Sequence, residues 1–567
     1  MPHQSSYQSI SNNTILALFG LTFLILMNYT THQLGGFGLG LALNNATWLG
    51  FTLIFAMGGL FISLKCSIKL SKSLVGYFLS IVLLLLPLSY AKQALEYDMF
   101  LIALAISSAL ILFFIVEQCN RRRFKTILLA ILLLSALVQT VWGMVQYYLI
   151  YEPSLWFVAA NSTQPHGTFG QKNVFSSYLA FGSLLAIYFL FNQSKKSRLA
   201  ITLVFLIIIL NAHLTMLAEA RTGRVVPIIA VLAYLSYCAF KYKSRKLTLA
   251  LGIVCLLTSF TPKQWFDIRP NQIVTAPIGI QSVGVRPLMY QVGVNLIMDK
   301  PLRGVGAGNM AREFMLKKIA LEEQQNRIPT ELPITSHIHN EPLQWMVELG
   351  VVSGLAFVGF MITWLLGLKN GWIDPSVLLL ALPFVGHSLL EFPFYASAPH
   401  LFAFAIILAL ASKGRKKVVK FTPVASGFII PAVGLISYKA IMFLLLSIAS
   451  MNALIEYRQG NKQDESLLYS VTPTQSFERL FTHEKYQWTF KRGKQQGSIS
   501  KEQVYSYIEF LEDNVMQWPE ALLYVQLAEM YLISGQNKKA QEIMKEAYAF
   551  FPSDEKVIAL HTKLNPS

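Results

Sequence analysis

Long apolar runs recur along this chain, and they decide its class before any other feature. They lie at about 14–30, 48–64, 74–90, 99–116, 125–149, 173–192, 199–218, 224–240, 246–260, 343–366, 376–390, 400–412 and 424–450. Most approach the ~20 residues that carry a helix through a bilayer core, and the first two that follow Asp374 are shorter. A soluble protein of 567 residues has no need of 54% hydrophobic residues with only 14% charged and a mean hydropathy of +0.47. The expectation is an all-α fold, a polytopic membrane helix bundle of about 12–13 spans. The first run, Ile15 to Tyr29, lacks a basic stretch before it and a small-residue cleavage site after it, so it reads as an anchor. The spacing of Cys66, Cys119, Cys238 and Cys255 suits neither a zinc site nor a redox pair.

The connectors alternate in charge. One set holds Lys65/Lys69/Lys72, Arg121/Arg122/Arg123/Lys125, Lys195/Lys196/Arg198, Lys241/Lys243/Arg245/Lys246 and Lys413/Arg415/Lys416/Lys417/Lys420, and the other is nearly free of lysine. The net charge of +17 therefore reads as an orientation signal for a lipid bilayer, not as nucleic-acid affinity. The positive-inside rule places the basic set in the cytoplasm. The poor set, a large loop at about 261–342 and everything after 450 then lie on the far side. Two units are expected: a transmembrane domain over 1–450 and a helical domain over 451–567. In the latter, Leu527, Tyr531, Gly535, Ala540, Ala547 and Pro552 fall where a tetratricopeptide-like hairpin of ~34 residues puts them. One such hairpin cannot bury its own face, so it must pack on preceding helices or on the membrane domain.

The polar motifs collect on the far face. In "HIHNEP", Pro342 suits the first turn of a helix, with Asn340 as its cap. His339 then stands just ahead of a helix amino terminus, where the dipole disfavours imidazolium and suits a proton acceptor. His337, two residues earlier, would point to the same side of an extended segment. Two interfacial histidines satisfied by water and headgroups are the plainer alternative. "HGTFGQKN" from His166 presents Gln171 and Asn173, or is an ordinary loop and cap. "EARTGR" sets Arg221 and Arg224 in a far-side turn, against the positive-inside bias. Their planar forks suit phosphate oxygens, or they pair with Glu219. Arg286 precedes an amphipathic helix, followed by "DKPLRGVGAG". With no strand before it, that glycine run reads as a tight turn that packs the loop down, not a nucleotide loop. His387 and Glu391, four residues apart, would meet on one helix face. No aspartate pair or carboxylate cluster suggests a divalent cation on this face, so metal-independent chemistry is expected, with arginines supplying positive charge.

In this order the motifs resemble the O-antigen ligase and O-antigen polymerase superfamily: "RTG" at 221–223, "R…DKPLRGVGAGN" from Arg286, and "HN" at 339–340 followed by Gly350 and Gly354. "GTFGQKN", "HSLLEFPF" and the tail resemble the branch that glycosylates proteins, the bacterial protein O-oligosaccharyltransferases of the PglL type. Lys172 departs from that branch, which carries proline there. The resemblance implies a multi-pass protein of the bacterial inner membrane with a periplasmic active face and tail. An oligosaccharide would pass en bloc from undecaprenyl diphosphate to a hydroxyl of a pilin-like acceptor protein, without a cofactor. It implies His339 as catalytic base and Arg221 and Arg286, with Arg224 as a third, on the donor diphosphate. His337, Asn340, Gln171, Asn173, His387 and Glu391 would support substrate or structure. Ligation of O-antigen to lipid A-core and O-antigen polymerisation stay open. Outside enzymes, so do a lipid-linked glycan transporter and a periplasmic scaffold.

Overall fold

The computed structural model describes residues 2–31, 38–90, 96–119, 122–149, 164–262, 281–325, 335–460, 462–496 and 499–565. Ten helices among them are long and apolar enough to cross a membrane: Ser11–Asn28, Ala42–Lys65, Lys72–Ser89, Phe100–Cys119, Arg122–Tyr148, Lys172–Phe191, Arg198–Leu217, Arg221–Tyr242, Val351–Lys369 and Pro423–Gln459. The chain is an all-α polytopic membrane protein, as the apolar runs require. Three expected spans are helical but shorter: Arg245–Ser259, Pro375–Ser388 and Ala398–Ala411. Fourteen residues rise only about 21 Å, less than a ~30 Å hydrocarbon core. Ends that short are tolerated where protein rather than lipid surrounds them, and Ala398–Ala411 is buried along most of its length.

The basic connectors do meet at one end of the bundle. Strand β1 (Ser67–Leu70) pairs antiparallel with strand β2 (Lys417–Lys420), in the register Ser67↔Lys420. Asp374, at the start of Pro375–Ser388, receives Lys125 at 3.4 Å and Lys413 at 3.2 Å. Lys416 reaches the buried Glu117 at 3.4 Å. Four connectors far apart in sequence are thereby stitched together.

The expected span 343–366 is two helices, Glu341–Leu349 and Val351–Lys369, divided at Gly350 with φ +80°. A Cβ at Gly350 would collide with the backbone of Leu302, so only glycine allows this approach. The glycine-rich turn expected to pack the loop down does so here. Val305 N donates to Val347 O (2.8 Å), Gly306 N to Glu348 O (3.0 Å) and Val351 N to Pro301 O (2.8 Å).

The domain border expected at 450 falls inside Pro423–Gln459, a helix of 37 residues. At 1.5 Å per residue it extends about 55 Å, well past a bilayer core. The tail beyond it is helical: Gln475–Gln496, Lys501–Gln517, Ala521–Ile533, Asn537–Phe550 and Glu555–Leu564. The middle pair turns at Gly535, φ +79°, and interlocks through fully buried Leu527, Ala528, Ala540 and Ala547. The tail is not a free unit. Its core is continuous with that of the loop helices Gln281–Asp299 and Met310–Gln324, from Leu288, Val292 and Phe314 through to Tyr524, Met544 and Val557. Arg312 fixes the contact, 2.6 Å from Glu546 and 3.0 Å from the Tyr524 hydroxyl. Residues 263–280 and 326–334 of the loop lie outside the described residues.

Candidate active site

Glu391 is the hub of the face opposite the lysines. It is 5% exposed, yet both its partners reach solvent: Arg286 at 29% and His339 at 32%. Arg286 Nη2 lies 2.7 Å from Oε1 and His339 Nδ1 lies 2.7 Å from Oε2. A carboxylate can only accept, so Nδ1 carries the proton and donates. That leaves Nε2 as the outward nitrogen, and among the described residues nothing hydrogen-bonds to it.

Each partner is placed by its own element. Pro342 and the cap Asn340, which accepts from Leu343 N at 2.9 Å, start the helix Glu341–Leu349 where expected. The other end of the Asn340 amide donates to Leu389 O at 2.9 Å, tying the histidine loop to the glutamate segment. His339 takes φ +55°, a left-handed conformation unusual for a non-glycine residue. That reversal separates the two histidines, which an extended segment would have aligned. His337 is wedged between Phe392 and Tyr395, with ring centroids at 4.4 and 4.7 Å. Burial, with His339 adding to it, pushes its pKa down to about 3. His337 is a neutral packing residue.

Arg286 sits in the first turns of Gln281–Asp299 and also donates to the Thr222 hydroxyl at 3.2 Å. One turn on, the Tyr290 hydroxyl donates to His339 O at 3.4 Å. Asn173 joins in, accepting from Gly223 N at 3.0 Å and donating to Glu391 Oε1 at 3.4 Å. Arg221, at the start of Arg221–Tyr242, is exposed and has no hydrogen bond or ion pair among the described residues. Its expected alternative partner, Glu219, instead accepts from Gln164, which in turn accepts from Lys172 at 2.8 Å. This is the local use of the lysine that stands at the departure from the branch pattern.

Three candidates make no side-chain hydrogen bond to Glu391, Arg286 or His339 among the described residues. Arg224 donates to Met216 O at 3.3 Å, closing off the end of the preceding helix. Gln171 is the residue before Lys172–Phe191, and its side chain makes no hydrogen bond among the described residues. His387 does not pair with Glu391. Its helix ends at Ser388, short of Glu391. His387 Nδ1 instead meets the Ser177 hydroxyl at 2.8 Å, which also meets His400 Nε2 at 3.0 Å, in the bundle interior.

The sequence singled out neither Thr222 nor Tyr290. Tyr290 was within reach, since it lies four residues after Arg286 and so on the same helix face. Thr222 had no such signal beyond its place between the two arginines.

Two family comparisons bear on this geometry. The O-Antigen ligase family matches residues 214–358, from the arginine turn through His339. The family described as virulence factor membrane-bound polymerase, C-terminal, matches residues 376–564, from the Glu391 segment through the tail. The Glu391–His339 bond thus joins the two matched regions. No curated protein matches the chain.

Proposed function

The chain belongs to the O-antigen ligase and O-antigen polymerase superfamily, and from that premise we propose that it transfers an oligosaccharide en bloc from an undecaprenyl diphosphate carrier to a serine or threonine hydroxyl of a periplasmic, pilin-like protein. The supporting observation is the bridge from Arg286 through Glu391 to His339. It sets an anion-binding fork and a proton acceptor side by side, the two requirements of displacement from a lipid diphosphate. The acceptor oxygen bonds to the anomeric carbon as the bond to the diphosphate breaks. His339 Nε2 takes the hydroxyl proton, and the electron pair leaves with the diphosphate. Arg286 and Arg221, which has no partner among the described residues, meet the charge that grows on its oxygens. Removing one preorganised donor from an oxyanion site costs ~3–4 kcal/mol in other enzymes. Arg224, engaged at Met216 O, is outside this set. With arginines carrying the charge, activity should persist in EDTA.

The reading requires the Glu391 face to be periplasmic. Stitching of the lysine connectors at the opposite end supports that orientation. The tail contributes its helical surface to acceptor recruitment. A second reading, ligation of O-antigen to lipid A-core, is favoured by the family matched over 214–358. Gene deletion separates the two, with intact masses of pilin-like proteins compared against the lipopolysaccharide ladder. Glycoprotein loss with an unchanged ladder supports protein glycosylation. An altered ladder with unchanged proteins supports ligation.

A further inference from the structure

The short helix Glu341–Leu349 carries a stripe that the reaction itself does not call for. Glu341, Gln344 and Glu348 lie on one face, three and four residues apart, and are only 5%, 1% and 8% exposed. Polar side chains this buried are retained where their bonds hold something in place. Gln344 accepts from Ile338 N at 2.9 Å and donates to Ser336 O and to Glu348 Oε1, both at 3.0 Å. It thus clamps the backbone one residue before His339. Glu341 accepts from Phe394 N at 3.2 Å, three residues after Glu391. Residues on either side of the His339–Glu391 bond are therefore tied to one face of one nine-residue helix.

The clamp has a reason. The φ of +55° at His339 costs a non-glycine residue ~1–3 kcal/mol, and such a conformation persists only where its surroundings over-determine it. Without Gln344, relaxation at 338–339 would swing the imidazole off Glu391 and turn Nε2 away from the acceptor.

We propose that Gln344 and Glu341 are positioning residues for the transfer reaction, holding His339 and Glu391 in register so that Nδ1 stays bonded to the carboxylate and Nε2 stays directed outward. This rests on the reading of His339 as the base. Neither residue touches substrate, and their effect passes through the orientation of the imidazole. Burial pushes Glu341 up to about 8 and Glu348 up to about 7. At neutral pH Glu341 is thus largely protonated, so a glutamine at 341 reproduces the acceptor without altering charge.

The test uses full-length protein, labelled with 15N-histidine, in vesicles of phosphatidylethanolamine and phosphatidylglycerol. Solid-state 15N spectra report which ring nitrogen is protonated, and the His339→Gln difference spectrum assigns the His339 signals. Transfer is measured in parallel with a purified undecaprenyl-diphosphate oligosaccharide and a pilin-like protein. Gln344→Leu should lose the His339 Nδ1–H signature and lower kcat ~10–100-fold, with KM for the donor within ~2-fold. Glu341→Gln should keep both signature and rate, whereas Glu341→Ala should weaken both. An intact signature in Gln344→Leu overturns the proposal, as does damage from Glu341→Gln equal to that from Glu341→Ala. If no variant or wild-type chain transfers glycan to protein, the functional reading fails. The spectra alone then decide whether the helix aligns the pair.

Discussion

The two ends of the bundle use the same device to different effect. At each, a carboxylate with little exposure faces two nitrogen bases. Asp374, 14% exposed, receives Lys125 and Lys413, and its other oxygen caps its own helix through the Ser376 amide and hydroxyl. Burial works to raise this carboxyl, but Ser376 and the two lysines outweigh it and hold the group below its ordinary range. Glu391 receives Arg286 and His339. There one partner is a hydrogen-bonding fork with donors to spare, and the other is a ring whose far nitrogen has no partner among the described residues. Lysines on flexible stems neutralise a charge and go no further. A guanidinium and an imidazole, fixed by the carboxylate on one side, remain able to act on the other. A buried ion pair is thus not itself a sign of function. What matters is the bonding capacity its partners keep free.

The comparison can be broken most severely at His339. His339→Ala is expected to lower transfer by ~10²–10⁴-fold, the range for loss of a general base, with donor binding retained in a vesicle pull-down. Normal turnover would reduce the Glu391 end to a latch like Asp374. Arg221→Lys and Arg286→Lys come next, each losing most activity because lysine keeps the charge without the two-pronged geometry. Full rate in initial-velocity assays would make the arginines structural. At the other end, Asp374→Asn should leave the specific activity of folded protein unchanged. It should cost about 1–2 kcal/mol of stability, since its lysine partners are partly solvated, read as a lower melting temperature.

The two ends also differ in the sign of their pH response. Asp374 is held below its ordinary 3.8. Its contribution to stability is present above that value and lost as pH falls through the lower folded value. Glu341, beside the reactive pair, is raised from 4.5 to about 8. Its contribution is full below about 4.5 and lost as pH rises through about 8. The groups facing Glu341 are Phe394 N and Tyr395. Acid should therefore loosen the lysine end and alkali the reactive end. Melting curves of Asp374→Asn and Glu341→Gln should each lose one limb of the pH profile; if each keeps both limbs, the assignment fails. The smallest effect belongs to Arg224→Lys, expected to change activity less than ~2-fold, with stability within ~0.5 kcal/mol. A large rate loss there would return Arg224 to the anion site.

The apolar runs by themselves determined an all-α membrane bundle, because in lipid each backbone amide must be bonded within its own segment. Local chemistry determined the start of the Glu341–Leu349 helix as well, since cap and proline act over only a few residues. The sequence also placed His339 and Arg286 as candidates, through motifs read in order. Only the tertiary structure decided that Glu391 turns from His387 to join Arg286 and His339, across 105 and 52 positions of chain. Only it decided that His337 is packed away and that Arg224 closes a helix end. It also divided the expected 343–366 span at Gly350 and merged the tail with the loop core. These outcomes depend on contacts between distant segments. A side chain's partner there is set by where other helices end and by which backbone approaches a glycine permits, and no local pattern carries that information.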